Sequence, residues 1–272
     1  MKSITLSSGY EMPVLGLGTW QLTGETCRAA VADALRMGYT HIDTAIAYGN
    51  HEQVGAGMKD SGVDRESFFL TTKIPLGKQT RAEILQQGGK LLQDLGTDYV
   101  DLLLLHWPSR SPALAESLGA LEELVDKEMV RSIGISNFNT DLVKQAAEVS
   151  EIPVVTNQVE FHPYLYQKEL QHACEAVDMV ITAYSPLARG DVLQDERLAE
   201  IAKSHNVSVP QVVIAWLLAK GVIVIPKASS KEHLESNLGA LDVQLTDDEI
   251  STIDAFPEEK RYVDWSGKHF DF

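Results

Sequence analysis

The sequence predicts an α/β protein folded as a (β/α)8 TIM barrel, with an N-terminal β-hairpin and a C-terminal tail over the barrel mouth. Short β-branched runs alternate with amphipathic stretches in eight strand–helix units, with a mean period of about thirty residues. Several strands are continuously apolar, as in LLLL and VIVI, which is typical of a parallel sheet covered on both faces. Eight such units favour a closed barrel whose functional site lies at the carboxyl ends of the strands.

The alternative architecture is an open, doubly wound sheet. Its dinucleotide-binding fingerprint would be G-x-G-x-x-G after the first strand. Gly16-Leu17-Gly18 is followed by Gln21 where the third glycine should stand, so the fingerprint fails. The closed barrel is therefore the favoured arrangement.

The elements can be assigned in order along the chain. Residues 2–13 are expected to form a hairpin that turns at Ser8-Gly9, because serine and glycine suit tight turns. The expected strands are residues 14–20, 40–45, 68–74, 100–107, 131–138, 154–161, 179–187 and 221–228. The expected helices are residues 25–37, 52–61, 81–95, 114–127, 140–149, 167–177, 210–218 and 231–241. Residues 188–205 form an insertion after strand seven and residues 256–272 a tail, and no linker divides the chain, so we predict one domain over residues 1–272.

Charge and cysteine content narrow the class of protein. A formal net charge of −16 argues against a nucleic-acid or anionic-membrane partner, both of which favour basic surfaces. The two cysteines, Cys27 and Cys174, match no metal-binding or redox spacing, which indicates a reducing compartment. No stretch resembles a signal peptide or a membrane span. We expect a cytoplasmic monomer that acts on a small molecule.

Four polar side chains fall at or just beyond strand ends, namely Asp43, Tyr48, Lys73 and His106. Because barrel strand ends meet at one rim, we expect these side chains to converge on one pocket. An ammonium beside Tyr48 would lower the phenol's pKa from about 10, and Asp43 would hold that ammonium charged. Tyr48 could then donate a proton to a carbonyl oxygen as hydride reaches the carbon. A neutral His106 could hydrogen-bond the same oxygen.

Further polar side chains follow the later strands, as a functional rim requires and a barrel bottom does not. They are Ser136, Asn137, Asn157, Gln158, Glu160, Tyr184 and Lys227.

Specific motifs extend over nearly the whole chain. They are GLGTW, IDTA with Tyr48 following, TTK, LGTDYVDLLLLHWP, GISNF, NQVEFHPY, YSPLARG and VIPKA. In these motifs the chain resembles the aldo-keto reductases. The resemblance implies a barrel that binds NADPH without a Rossmann domain and reduces aldehydes and ketones. It also places a catalytic tetrad on Asp43, Tyr48, Lys73 and His106, in agreement with the chemistry above.

The same resemblance implies a set of contacts to NADPH. The carboxamide of the nicotinamide would be bound by Ser136, Asn137 and Gln158, with Tyr184 stacked on the ring. The pyrophosphate would lie along Ser185, Pro186 and Leu187. Lys227 would contact the 2′-phosphate, where an ammonium suits a dianion. The remaining expected cofactor residues are Ser229, Ser230, His233 and Asn237.

Two positions depart from the family pattern around that phosphate. Ala228 and His233 stand where the family often has serine and arginine, and Ser229 and Ser230 could compensate through their hydroxyl groups. NADH is therefore a possible cofactor besides NADPH. A third departure is His51, which follows Asn50 where the family commonly has glutamate.

The expected substrate pocket is mostly aromatic. It comprises Trp20, Tyr48, His106, Trp107 and Trp265, with the tail aromatics Tyr262, Phe270 and Phe272 as further candidates. Such walls suit small, moderately apolar aldehydes and ketones. The loop at residues 108–114 is short, as in bacterial members that reduce methylglyoxal, diketo-gluconate and other aldehydes, so we expect broad specificity.

Two other functions are compatible with a barrel. One is a metal-dependent hydrolase with ligands from His41-x-Asp43 and Glu160-x-His162, although further ligands are unassigned and we expect no metal. The other is a regulatory barrel that binds NADPH without catalysis. An intact tetrad argues against it, because a binding protein does not need all four groups.

Overall fold

An antiparallel hairpin closes the amino-terminal end of the barrel. The computed structural model describes residues 1–263, and its first two strands are β1 (Ser3–Thr5) and β2 (Glu11–Pro13). The turn at Ser8-Gly9 forms as predicted, with Gly9 at φ +86°. Leu6 and Met12 pack onto inward-facing side chains of the barrel strands, among them Leu102 and Leu104. This end is therefore sealed by apolar side chains, which leaves the other end for a site.

The remaining strands form one parallel sheet in sequence order. They are β3 (Leu17–Gly18), β4 (His41–Asp43), β5 (Phe69–Ile74), β6 (Val100–Leu105), β7 (Val130–Ser136), β8 (Val154–Glu160), β9 (Val180–Tyr184) and β10 (Ile223–Val224). Parallel bridges from Leu15 to Val224 and from Gly18 to Lys227 join the first strand to the last. The predicted eight-stranded barrel is thus confirmed.

The two strands at the closing seam are much shorter than the sequence suggests, and two glycines explain how they meet. A Cβ on Gly16 would lie 2.5 Å from the His41 ring, and one on Gly18 would lie 2.6 Å from the Ile225 carbonyl oxygen. Both distances are too short for any side chain. Gly16 and Gly18, which do not complete a dinucleotide-binding fingerprint, therefore allow the first strand to lie close to its neighbours at the seam.

Ten α-helices are present in residues 1–263. They are α1 (Gly24–Arg36), α2 (His51–Ser61), α3 (Arg81–Leu95), α4 (Leu114–Asp126), α5 (Thr140–Val149), α6 (Lys168–Glu175), α7 (Glu196–His205), α8 (Val209–Ala219), α9 (Lys231–Gly239) and α10 (Asp247–Asp254). Their apolar faces pack on the barrel in one large cluster that includes Leu35, Leu91, Leu121 and Trp216. In the described part of the chain, no helix combines the length and apolar character needed to cross a membrane.

Eight of these helices match the predicted ones, and two were not predicted. Helix α7 lies inside the expected insertion, after a 3-10 segment at Ala188–Gln194. Helix α10 begins at a capping box in which Thr246 and Glu249 satisfy each other's backbone amides. That T-x-x-E spacing is a recognisable start signal, so α10 could have been found from the sequence.

Candidate active site

A cavity opens at the carboxyl ends of the strands, where the sequence predicts the site. Its walls combine aromatic, amide and charged side chains with a few small or aliphatic residues. The lining residues are Gly18, Trp20, Asp43, Ala47, Tyr48, His106, Trp107, Asn137, Gln158, Tyr184, Ser185, Ile225, Lys227 and Val263. Residues from seven of the eight predicted strand units therefore converge here.

A buried ion pair lies directly beneath the cavity. Lys73 on β5 is fully buried and donates to Asp43 Oδ1 at 2.6 Å and to the Thr44 carbonyl oxygen at 2.8 Å. The other carboxylate oxygen of Asp43 accepts from Gln158 Nε2 at 2.7 Å. Burial raises the pKa of Asp43 and lowers that of Lys73, whereas their mutual contact opposes both shifts. Each charge thus depends on the other for its stability.

Tyr48 stands above this pair, at the end of a 3-10 turn that follows β4. Its hydroxyl lies 3.4 Å from Lys73 Nζ, a long hydrogen bond. Enclosure raises the pKa of the phenol well above its usual value, and the Asp43 carboxylate adds to that shift. The expectation that Lys73 lowers this pKa is wrong for this structure, because desolvation of a phenolate outweighs one distant ammonium.

His106 lies on the other side of the same phenol. Its ring packs edge-on against Tyr48, with centroids 5.8 Å apart. Burial lowers the pKa of His106 to about 3, and the Lys73 charge contributes in the same direction. The imidazole is therefore neutral at physiological pH, as the sequence analysis expects, and can donate one hydrogen bond into the cavity.

Amide and hydroxyl groups at the ends of β7, β8 and β9 form a connected network. Asn137 Nδ2 donates to the His106 carbonyl oxygen at 2.9 Å, and its Oδ1 accepts from the Tyr184 hydroxyl at 2.8 Å. The Ser136 hydroxyl donates to the Gln158 carbonyl oxygen at 2.7 Å. Asn137 and Gln158 line the cavity, whereas Ser136 is buried below them. These hydrogen bonds fix the orientation of the three side chains relative to one another.

The rim between β9 and α9 has features suited to phosphate groups. Ser185, Ala188 and Arg189 all adopt positive φ, a concentration of strain that is typical of functional loops. Exposed Lys227 lines the cavity edge. Ser230 caps the N-terminus of α9 by accepting from the His233 amide, so a helix end lies three residues beyond Lys227.

These residues fit an NADP(H) cofactor in their donor chemistry. Polar amides beside the Tyr184 ring suit a nicotinamide, and an ammonium next to a helix N-terminus suits a phosphate. The structure does not bring every expected residue to the cavity wall. Pro186, Leu187, Ser229, Ser230 and His233 lie outside it, and Asn237 is buried in α9.

The structure describes the C-terminal tail as far as Val263, so only some of the predicted tail residues can be placed. Val263 lines the cavity, and Tyr262 instead hydrogen-bonds Asp191 through its hydroxyl group. Trp265, Phe270 and Phe272 lie outside the described residues. Four of the lining residues were not predicted, namely Gly18, Ala47, Ile225 and Val263. An aliphatic wall residue bears no chemical signal, so only its position in the fold reveals it.

The metal-hydrolase alternative finds no support in residues 1–263. No group of three or more His, Cys, Asp or Glu side chains there is arranged to hold a metal ion. His41 instead contacts the Thr71 hydroxyl at 3.1 Å, and His162 contacts Glu160 at 3.0 Å.

Comparison with known proteins agrees with the geometry. A family model described as the aldo/keto reductase family matches residues 14–258. A glyoxal reductase of Bacillus subtilis is 38% identical over 260 residues, covering 95% of this chain and 94% of that protein. A crystal structure of a putative 2,5-diketo-D-gluconic acid reductase B superposes with a TM-score of 0.94 at 36% identity, covering 97% and 95% of the two chains.

A third relative was solved with its cofactor. The aldo-keto reductase of Bombyx mori in complex with NADP is 31% identical, with a TM-score of 0.92 and coverage of 98% and 96%. The chain belongs to the aldo/keto reductase family and is an NADP(H)-dependent oxidoreductase that reduces carbonyl compounds, as its motifs predict.

Proposed function

We propose that this chain reduces small aldehydes and ketones with NADPH, and that Tyr48 is the proton donor. The observation behind this proposal is the arrangement around one phenol. Lys73, paired with Asp43, lies on one side of the Tyr48 hydroxyl, and the neutral His106 ring lies on the other. A site of this kind can bind a carbonyl oxygen and protonate it.

The proposed proton transfer uses the raised pKa of Tyr48. NADPH, when bound, supplies the hydride. A phenol with a raised pKa keeps its proton until negative charge develops on the substrate oxygen, and it then transfers that proton to the new alkoxide. Lys73 lies close enough to stabilise the resulting phenolate, which regains a proton from solvent. His106 orients the substrate oxygen by donating a hydrogen bond to it.

The cofactor assignments remain part of this proposal. Asn137, Gln158 and Tyr184 would receive the nicotinamide, and Ser185 with the strained loop that follows would receive the pyrophosphate. Lys227 would bind the 2′-phosphate. NADH stays a predicted second cofactor, because the buried Ala228 offers no hydroxyl group to a 2′-phosphate beside Lys227.

The substrate is expected to be a small carbonyl compound with an apolar part. Trp20 and Trp107 provide flat apolar walls close to Tyr48. The names of the relatives, a glyoxal reductase and a diketo-gluconate reductase, support small dicarbonyls and keto-sugars as test compounds. We also infer that the protein is an aldehyde reductase and a monomer. Its two free, buried cysteines support a reducing compartment such as the cytoplasm.

The test is an NADPH-oxidation screen against aldehydes, dicarbonyls and keto-sugars, run with the wild type and Tyr48→Phe. The variant should lose about 10²- to 10⁴-fold in kcat, since it lacks the acid. Its affinity for NADPH, measured by quenching of tryptophan fluorescence, should stay within about twofold of the wild type. If the variant keeps its turnover, Tyr48 is not the acid. If the wild type oxidises no NADPH with any carbonyl, the chain is a binding protein.

A further inference from the structure

A second buried carboxylate lies near the cavity, and the proposed chemistry does not use it. Glu160 ends β8, and its side chain is fully buried. Its Oε1 accepts from the backbone amide of Tyr262 at 2.7 Å, and its Oε2 accepts from that of Val263 at 3.0 Å. His162 Nε2 contacts Oε1 at 3.0 Å. One carboxylate therefore binds two consecutive amides of the C-terminal segment, about a hundred residues away in sequence.

These contacts keep Glu160 charged. Burial alone would raise the pKa of this carboxyl, but the hydrogen bonds from His162 and from the amides of Tyr262 and Val263 lower it overall. Since a carboxylate only accepts, His162 must have its proton on Nε2. Hydrogen bonds to a charged acceptor are about twice as strong as neutral ones. These hydrogen bonds attach the segment at a defined point, in addition to the packing of the Tyr262 ring against His162.

The attached segment forms part of the cavity wall. Val263 lines the cavity with Trp20 and Trp107, whereas Glu160 itself does not. The backbone that Glu160 binds therefore determines where the Val263 side chain lies. Other contacts hold the same segment, among them a 2.5 Å hydrogen bond from the Tyr262 hydroxyl to Asp191. Arg261 donates to Gln167 Oε1 at 3.2 Å, and its Nη1 lies 4.0 Å from Glu160 Oε2.

We propose that Glu160 is a positioning residue for substrate selection, which fixes Val263 as a wall of the substrate pocket by binding the backbone amides of Tyr262 and Val263. The proposal rests on the reductase function proposed above. It predicts that loss of the carboxylate widens the pocket without disturbing the Asp43–Lys73–Tyr48 arrangement. Small carbonyls should then lose a wall contact that bulky carbonyls do not need.

The main variant is Glu160→Gln, which retains one acceptor oxygen and replaces the other with an amide donor facing an N–H group. Two carbonyls are compared, methylglyoxal and a phenyl-substituted aldehyde. The ratio of their kcat/KM values should shift by about fivefold or more towards the bulky compound, mainly through the KM of methylglyoxal. Hydrogen exchange in a peptide covering residues 260–263 should be about tenfold faster, independently of any activity.

Three further variants make the test specific. Val263→Pro lacks one of the two amides that Glu160 binds, and Val263→Ala is its matched control because it shortens the same wall side chain but keeps the amide. Val263→Pro should shift the ratio in the same direction and further than Val263→Ala, even if Glu160→Gln does not fold. Asp191→Ala removes the contact to the Tyr262 hydroxyl and leaves both hydrogen bonds from the backbone amides to Glu160, so the ratio should stay within about twofold of the wild type.

The outcomes separate this proposal from the proposed function. A wild type that is inactive towards every carbonyl contradicts the reductase function itself. The positioning role is contradicted if the wild type is active but Glu160→Gln and Val263→Pro lose activity equally for both carbonyls. Unchanged exchange in Glu160→Gln, or an equal ratio shift in Asp191→Ala, also overturns it.

Discussion

Asp43→Asn should destabilise the protein strongly and make its stability depend on pH. The substitution preserves shape but removes the charge that balances the fully buried Lys73, which would keep only neutral acceptors such as the Thr44 carbonyl oxygen. The asparagine amide would also face a donor, either Lys73 or Gln158. Breaking one partner of a buried pair costs about 3–5 kcal/mol, which we expect as the loss in free energy of unfolding at pH 7.

The pH dependence follows from the direction of the Lys73 shift. Burial lowers the pKa of Lys73, and in Asp43→Asn nothing of opposite charge remains to oppose that. Between the lowered folded pKa and the unfolded value of about 10.4, the unfolded state binds one more proton than the folded state. Unfolding free energy should therefore rise with pH by up to about 1.4 kcal/mol per unit. Urea denaturation between pH 7 and pH 9.5 should show the variant's deficit shrinking.

Two controls decide whether the unpaired charge is the cause. Asp60→Asn breaks an exposed pair with Arg28, whose partners are 36% and 44% exposed, and should cost far less than Asp43→Asn because solvent screens both charges. The double variant Asp43→Asn/Lys73→Met should recover most of the lost stability, because it removes the buried charge as well. The reasoning is refuted if Asp43→Asn costs no more than Asp60→Asn, or if the double variant is no more stable than the single one.

Two other substitutions probe the cofactor site and the barrel seam. Lys227→Ala should weaken NADPH binding about tenfold or more while changing NADH binding less than about twofold, because only NADPH has the 2′-phosphate; equal losses in a fluorescence titration would remove that contact. Gly18→Ala should cost about 1–3 kcal/mol of unfolding free energy, since its Cβ would lie 2.6 Å from the Ile225 carbonyl oxygen. Its control, Gly89→Ala, adds a Cβ with nothing within 4 Å in the interior of α3 and should stabilise the protein by about 0.5–1 kcal/mol.

Much of the site could be predicted because barrel topology converts sequence position into spatial position. Asp43, Lys73 and His106 lie at the ends of successive strands, so their convergence follows once the alternating pattern is recognised. Helix α10 was missed although its capping box was visible. The lengths of the two strands at the seam were overestimated. Their β-branched composition indicates a preference for extended backbone, but it does not show how many residues can pair with the neighbouring strand in a closed barrel.

The sequence by itself determined the eight strand–helix units, the ring of polar residues at the rim and membership of the family. Only the tertiary structure decided the electrostatics of Tyr48, since the direction of its pKa shift depends on how completely the walls exclude water and on the nearby Asp43 carboxylate. It also decided the contacts of Glu160, which the sequence offers as a possible metal ligand and which accepts hydrogen bonds from two distant backbone amides in the fold. The physical reason is the same in both cases. Local periodicity encodes which face of an element is apolar, whereas desolvation and contacts between distant residues exist only after the chain has closed around them.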